Sequence, residues 1–323
     1  MFKVLVTLFI EDRALIEQRE KLLQKFLPES IVVVVANEAE LQRNLHDVDI
    51  IVSTTMFPLG RAYMERALRL RFIQIAGVGT DHVDLEAASQ QGIIVANVEG
   101  ANAVSVAEHV IMSALALLRN LINTSESMKN GGWPFSAWAD SSCELAGKTV
   151  GIIGMGCIGQ EVAKRFLPFD VSLLYYARRQ LQLTEISLPG RQVDLDVLLT
   201  RSDIVTLHLP LAPETGNILG REQLYRMKKG SFLINTSRAG LVNEDALLDA
   251  LGDHLGGAAL DVFHQEPLPA ESPVRKLANV LLTPHGAGVT IEAQNRIGQG
   301  AMLNVRRFIA GDQLADLKVA GRR

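Results

Sequence analysis

Apolar and polar positions alternate with two different periods along this chain. In the first hundred residues, apolar runs of strand length at 3–9, 31–35, 50–53, 72–75 and 93–96 are separated by helically spaced stretches at 13–26, 38–45, 60–67 and 85–90. Strand and helix signals in alternation predict a parallel sheet covered by helices. A longer pattern through Val110, Ile111, Ala114, Leu115 and Leu118 predicts one buried helix, starting near Val106, running towards Lys129 and stopped at Gly131-Gly132. Ser105 and Glu108 in front of it have the spacing of a capping box. Strand signals then resume at 149–154, 172–176, 203–208, 231–235, 257–261 and 280–283, which predicts a second, six-stranded doubly wound sheet. The amphipathic segment 291–310 is predicted as a final helix with no strand after it, returning to the first domain. The expected division is a discontinuous first domain, 1–100 with 289–323, around a second at 101–288.

The strand at 149–154 runs into Gly154-Met-Gly156-Cys157-Ile158-Gly159, and a helical segment follows at once. Strand, glycine turn and helix in that order suit dinucleotide binding. Gly154 permits the tight turn, Gly156 lets the backbone approach a pyrophosphate, and Gly159 lets helix and strand pack closely. The helix N-terminus then turns unpaired N–H groups towards the phosphates. Sites for NAD carry an acid at the end of the next strand to bind the ribose 2′-hydroxyl. Here that strand ends in Ala177-Arg178-Arg179. An acid would repel a 2′-phosphate and a guanidinium would bind it, so the expected cofactor is NADP, with NAD as the alternative. As ordinary solvated charges, Arg178 and Arg179 would need no function.

Composition narrows the class further. With 323 residues the chain has length for about two domains, and 48% hydrophobic content is ample for their cores. A net charge of −4 without a basic run gives no footprint for nucleic acid. The two cysteines, Cys143 and Cys157, form neither a disulfide framework nor a metal motif. Residues 1–10 run directly into Glu11-Asp12-Arg13 and read as a first strand, not a leader. No apolar stretch is long enough to span a bilayer, so no membrane partner and a cytoplasmic location are expected.

Ligands of open α/β sheets collect at the carboxyl ends of the strands. Three successive ends deliver Thr236-Ser237-Arg238, then Asp261 with His264 and Glu266 shortly after, then Pro284-His285-Gly286-Ala287-Gly288. An arginine, an acid and a histidine beside a nicotinamide site form a plausible hydride-transfer constellation. Trp138, in the loop after the long helix, reads either as packing or as a bulky residue reaching an active site, that of a partner subunit included.

The segments Ala76-Gly-Val-Gly-Thr-Asp-His-Val-Asp84, Ser105-Val-Ala-Glu-His109, the glycine turn, His208-Leu-Pro210, Asn235-Thr-Ser-Arg238, Ala259-Leu-Asp-Val-Phe263 and Thr283-Pro-His285 together resemble the D-2-hydroxyacid dehydrogenase family, including its glyoxylate/hydroxypyruvate reductases. The resemblance spans nearly the whole chain. It implies an α/β fold of two doubly wound parallel-sheet domains, a Rossmann cofactor domain inserted in a flavodoxin-like substrate domain. By the same resemblance His285 protonates the substrate carbonyl, and Glu266 orients the imidazole and keeps it protonated. Arg238 binds the substrate carboxylate together with the backbone amides of Val78 and Gly79, and Asp261 meets the nicotinamide carboxamide. Val106, Cys157, Ile158, His208, Leu209, Pro210, Thr215, Thr236, Ser237, Arg238, His285 and Gly288 line the cofactor, and a homodimer is expected.

The function implied is NADPH-preferring reduction of a small 2-keto acid such as glyoxylate or hydroxypyruvate. Formate dehydrogenases look similar at Gly79–Leu85, Ser105–His109 and Gly131–Trp133, but carry Gln where this chain has Glu266. A dinucleotide-sensing corepressor-like scaffold is the non-enzymatic alternative.

Overall fold

Six strands form the first sheet, and the chain begins with five of them in parallel. In the computed structural model, which describes residues 1–8, 12–54, 57–178 and 190–319, these are β1 (Phe2–Thr7), β2 (Ser30–Val35), β3 (Ile50–Thr54), β4 (Phe72–Ala76) and β5 (Ile94–Ala96). Their central residues are almost all β-branched or aromatic and sit at or near zero exposure, as strands covered on both faces require. Helices α1 (Arg13–Phe26), α2 (Glu38–Asn44), α3 (Arg61–Arg66) and α4 (Leu85–Gln91) make the crossovers. Asp12, Asn37 and Asp84 cap α1, α2 and α4 by accepting first-turn amide protons. Gly92, at φ 72°, ends α4 in the left-handed region.

The chain then enters the second unit through α5 (Ala103–Leu118), α6 (Leu121–Lys129) and α7 (Phe135–Ser141). The sheet of this unit is built from β6 (Thr149–Ile153), β7 (Ser172–Tyr176), β8 (Arg191–Gln192), β9 (Ile204–Leu207), β10 (Phe232–Asn235), β11 (Gly257–Leu260) and β12 (Val280–Leu282). Its helices are α8 (Cys157–Phe166), α9 (Leu195–Arg201), α10 (Arg221–Arg226) and α11 (Glu244–Asp253). The strand order is β12-β11-β10-β9-β6-β7-β8, all parallel. Strand order reverses between β6 and β9, and in such sheets the crevice outside the carboxyl ends of those two strands binds the ligand.

Finally α12 (Ile291–Ala310) and β13 (Leu317–Val319) return to the first unit. α12 lays Met302, Val305 and Phe308 on the first sheet, where Phe308 stacks on Phe72 at 4.8 Å. The two units are Met1–Asn102 with Ile291–Arg323, and Ala103–Thr290.

Four sequence expectations need correction. The capping box is absent, because α5 starts at Ala103 and Ser105 lies inside it; the Ser105 hydroxyl is 2.9 Å from that of Thr290, and Glu108 faces Arg165 at 3.8 Å. The single long helix is two helices bent by 64°, because Asn120 takes φ 45° and breaks the hydrogen-bond ladder. β8 adds a short seventh strand to the second sheet. A strand does follow the last helix: β13 pairs antiparallel with β5. No single helix among the described residues is long and apolar enough to cross a membrane.

Candidate active site

The glycine turn lies at the switch point of the second sheet. β6 ends at Ile153, and Gly154 donates to the Tyr176 carbonyl at 2.9 Å while holding φ 101°. A Cβ on Gly154 would stand 2.5 Å from the His208 carbonyl oxygen, and one on Gly159 would stand 2.1 Å from that of Gly154. These two glycines are required by the fold itself. Gly156 is different: a Cβ there meets nothing within 4 Å, at the residue that caps α8 with no side-chain bond of its own. Open space at a helix N-terminus without a side-chain cap, where Cys157 and Ile158 form the first turn, fits a pyrophosphate. Nearby at the end of β10, the buried Thr236 hydroxyl oxygen has no protein partner, as fits a polar ligand atom. The residues present therefore fit a bound dinucleotide.

Other residues expected along the cofactor divide into those holding the walls and those left open. Leu209 and Val106 are buried core side chains. Thr215 is buried; its hydroxyl donates to the Pro210 carbonyl and accepts from the Ala212 amide, each at 2.8 Å, pinning the loop after β9. Ser237 donates to the Leu209 carbonyl at 2.5 Å, joining the loops after β9 and β10. His208 meets the Thr206 hydroxyl through Nε2 at 2.9 Å, and burial pushes its pKa down to about 3, so this imidazole is neutral. Gly288 sits in a turn closed by the Val289 amide and the Gly286 carbonyl at 2.8 Å. After β7, Ala177 receives the Gln192 amide on its carbonyl at 3.2 Å and Arg178 is exposed; Arg179 lies outside the described residues.

Beyond β11 and β12 a carboxylate and an imidazole meet. His285 Nδ1 is 2.8 Å from Glu266 Oε2, and the other Glu266 oxygen accepts the Phe263 amide at 2.9 Å. With Nδ1 committed to the carboxylate, Nε2 is the nitrogen free to exchange a proton with a substrate. Arg238, at the end of β10, donates through Nη1 to the Ser237 carbonyl at 2.7 Å, while the Asn235 amide holds the Arg238 carbonyl at 2.9 Å.

Asp261, expected at the nicotinamide, is 1% exposed and serves the loop that carries His285. One oxygen accepts the Gly286 amide at 2.8 Å and the Thr283 hydroxyl at 2.6 Å; the other accepts the Ala287 amide at 2.9 Å. Thr283 and its second neighbour, His109 Nε2 at 3.2 Å, were not singled out as site residues from the sequence. Their only local signal is a polar residue interrupting an apolar run. Trp138 is tied back to the end of α5: its indole donates to the Arg119 carbonyl at 2.6 Å and the Arg119 guanidinium lies 5.4 Å over the ring. Val78 and Gly79 lie in the first unit after β4, where the buried Asn97 side chain donates to the Val78 carbonyl at 2.7 Å. Among the described residues no group of His, Cys, Asp and Glu could hold a metal.

A glycine turn at the switch point of a parallel sheet, with an imidazole–carboxylate pair along the same edge, defines a Rossmann oxidoreductase. The chain belongs to the D-isomer specific 2-hydroxyacid dehydrogenases: the model of that family's NAD binding domain matches residues 111–287. It is 39% identical over 277 residues to a glyoxylate reductase of Thermofilum pendens, covering 84% of this chain and 82% of that one. It is 37% identical to a D-3-phosphoglycerate dehydrogenase of Methanocaldococcus jannaschii across 97% of this chain, but spans only 58% of that longer protein. The crystal structure of a Staphylococcus aureus NAD-dependent formate dehydrogenase in complex with NAD superposes with a TM-score of 0.86 at 37% identity, covering 99% of this chain and all of the other. The protein is thus an oxidoreductase with a NAD-binding domain, in a family acting on small 2-keto and 2-hydroxy acids.

Proposed function

We propose that this protein reduces the carbonyl of a small 2-keto acid, with glyoxylate and hydroxypyruvate as the preferred class and NADPH preferred over NADH. The observation that carries the reading is the 2.8 Å contact between His285 Nδ1 and Glu266 Oε2. Reduction of a ketone to an alcohol needs one proton delivered to oxygen as the bound nicotinamide supplies hydride. An imidazolium held through Nδ1 by a carboxylate presents Nε2–H for that delivery. After the transfer, the neutral ring keeps its Nδ1 proton on Glu266 and accepts the next one at Nε2. Arg238 is assigned to the substrate carboxylate and to polarising the carbonyl, a task matched to the planar fork of guanidinium donors. Val78 and Gly79 are assigned carboxylate-binding amides, and Asp261, Thr236 and the glycine turn are assigned to the cofactor.

Arg178 supports the NADPH preference. It follows β7, whose last residue is in register with the last residue of β6, so it emerges beside the glycine turn. Neither Ala177 nor Arg178, the described residues at that strand end, is the acid an adenosine ribose with a free 2′-hydroxyl needs.

The similarity to formate dehydrogenase supports a second reading, formate oxidation. Hydride leaves formate with no hydroxyl proton to manage, so that reaction gives the Glu266–His285 pair no task. Initial rates with glyoxylate and hydroxypyruvate, NADPH against NADH, and with formate and the oxidised cofactors, decide between them. A kcat/KM advantage for NADPH with a 2-keto acid supports the whole proposal. An advantage for NADH removes the role of Arg178, and turnover of formate alone replaces the substrate class.

A further inference from the structure

His285 holds φ 54°, a left-handed conformation that side chains other than glycine adopt at a cost of about 1–2 kcal/mol. Something must hold the loop there, and the bonds around Asp261 do so. The carboxylate is buried and grips the two amides directly after His285, those of Gly286 and Ala287. Its third donor is the Thr283 hydroxyl, two residues before His285. A threonine hydroxyl has one proton. At 2.6 Å from a carboxylate oxygen that proton belongs to Asp261, so the same oxygen must accept from His109 Nε2 at 3.2 Å. The direction of every bond then follows. His109 Nε2–H donates to Thr283, Thr283 donates to Asp261, and Asp261 receives the backbone on the far side of the proton donor.

We propose that His109 and Thr283 are positioning residues for proton transfer, a tether from α5 through Asp261 to the backbone that aims His285. The inference rests on the reading of His285 as the proton donor. His109 is suited to the part because burial holds its pKa below the usual histidine range, despite the opposing pull of Asp261. It stays a neutral Nε2–H donor and does not compete for the substrate proton. Removing either link leaves a buried acceptor or donor without its partner, a state buried polar groups avoid. Asp261 itself is a poor probe, since it is also assigned to the cofactor. The test therefore uses its two outer partners.

Thr283→Val and His109→Leu break the tether, while Thr283→Ser and His109→Gln keep a hydroxyl and a donor in place. Two readouts are taken on the full chain: amide exchange at Gly286 and Ala287, and steady-state reduction of glyoxylate across pH with cofactor affinity measured separately. Exchange at the two amides is expected to rise about tenfold or more in Thr283→Val, as local opening becomes easier. Its kcat is expected to fall about tenfold, the scale of one net hydrogen bond, with KM and cofactor Kd within about threefold. His109→Leu follows in the same direction with a smaller change, and it probes the tether from outside the loop should Thr283→Val fold poorly. The Ser and Gln variants return towards wild type.

Unchanged exchange in both disrupting variants overturns the tether. Faster exchange with wild-type kcat and pH profile overturns its catalytic role. A wild-type enzyme that turns over no 2-keto acid removes the donor reading, and the catalytic half of the inference with it, while exchange still decides the tether.

Discussion

Replacing Gly156 and Gly159 separately by alanine separates the two reasons for glycine in the turn after β6. At Gly156 the backbone holds φ −77°, which any residue adopts, and an added Cβ meets nothing within 4 Å. Alanine is a poorer helix cap than glycine but also stiffens the unfolded chain, so the net stability change is expected to stay within about 1 kcal/mol. The methyl group nevertheless occupies the space through which a pyrophosphate must approach the α8 amides. Pushing the phosphates back weakens charge-assisted hydrogen bonds worth about 1.5–3 kcal/mol each, which is roughly 10- to 100-fold in dinucleotide Kd. At Gly159 the same substitution puts Cβ 2.1 Å from the Gly154 carbonyl oxygen, a backbone atom that cannot swing away. The helix or the turn must shift, at about 1–3 kcal/mol for overpacking of this kind. In a domain of this size that lowers Tm by roughly 2–4 °C per kcal/mol. Cofactor fluorescence titration beside thermal melts reads both quantities. Gly156→Ala should bind poorly and melt like wild type, and Gly159→Ala should melt early. Gly156→Ala that binds the dinucleotide within threefold of wild type refutes the assignment of that space to the pyrophosphate.

Glu266→Gln keeps the shape beside His285 but removes the charge; the half-open pair places the loss at the low end for a charged hydrogen bond, about 10-fold in kcat for keto-acid reduction, with little change in cofactor Kd. An unchanged rate would show that Glu266 does not act on the imidazole. Arg178→Glu should reverse cofactor preference, raising KM for NADPH about 10-fold or more while leaving NADH alone, since a carboxylate repels the 2′-phosphate; equal effects on the two cofactors would disprove the 2′-phosphate contact. His208, with its pKa depressed to about 3 by burial, takes up its proton only when the chain unfolds. Its stabilising contribution is therefore complete above about pH 6.5 and is lost as pH falls towards 3, by about 1.4 kcal/mol per pH unit. His208→Gln should flatten that part of the denaturation profile, and an identical acid slope in the variant would contradict the buried neutral imidazole.

The sequence alone determined the elements whose signals are local. Short runs such as Ile50–Thr54, mostly β-branched, and Ser172–Tyr176, apolar and aromatic, read as strands, and α1 lies between Arg13 and Phe26 as its periodicity predicts. The glycine turn was equally legible, because the positive φ of Gly154 and the approach of Gly159 to the Gly154 carbonyl act within six residues, although the approach of Gly154 to His208 does not. Local signals also misled. Ser105 and Glu108 have the spacing of a cap, yet α5 begins earlier, at the buried Ala103, and draws Val106 and Ala107 into the core of the second unit. Asn120 breaks the expected long helix through a left-handed backbone that asparagine tolerates and the apolar pattern conceals. Only the tertiary structure decided that β13 pairs antiparallel with β5, and that His109, Asp261 and Thr283 meet. His109 and Thr283 are 174 positions apart, and a hydrogen bond across that distance leaves no periodicity, cap or turn residue in either neighbourhood. It exists because β11 and β12 are adjacent in the sheet and α5 packs against them, an arrangement set by burial of the whole sheet face.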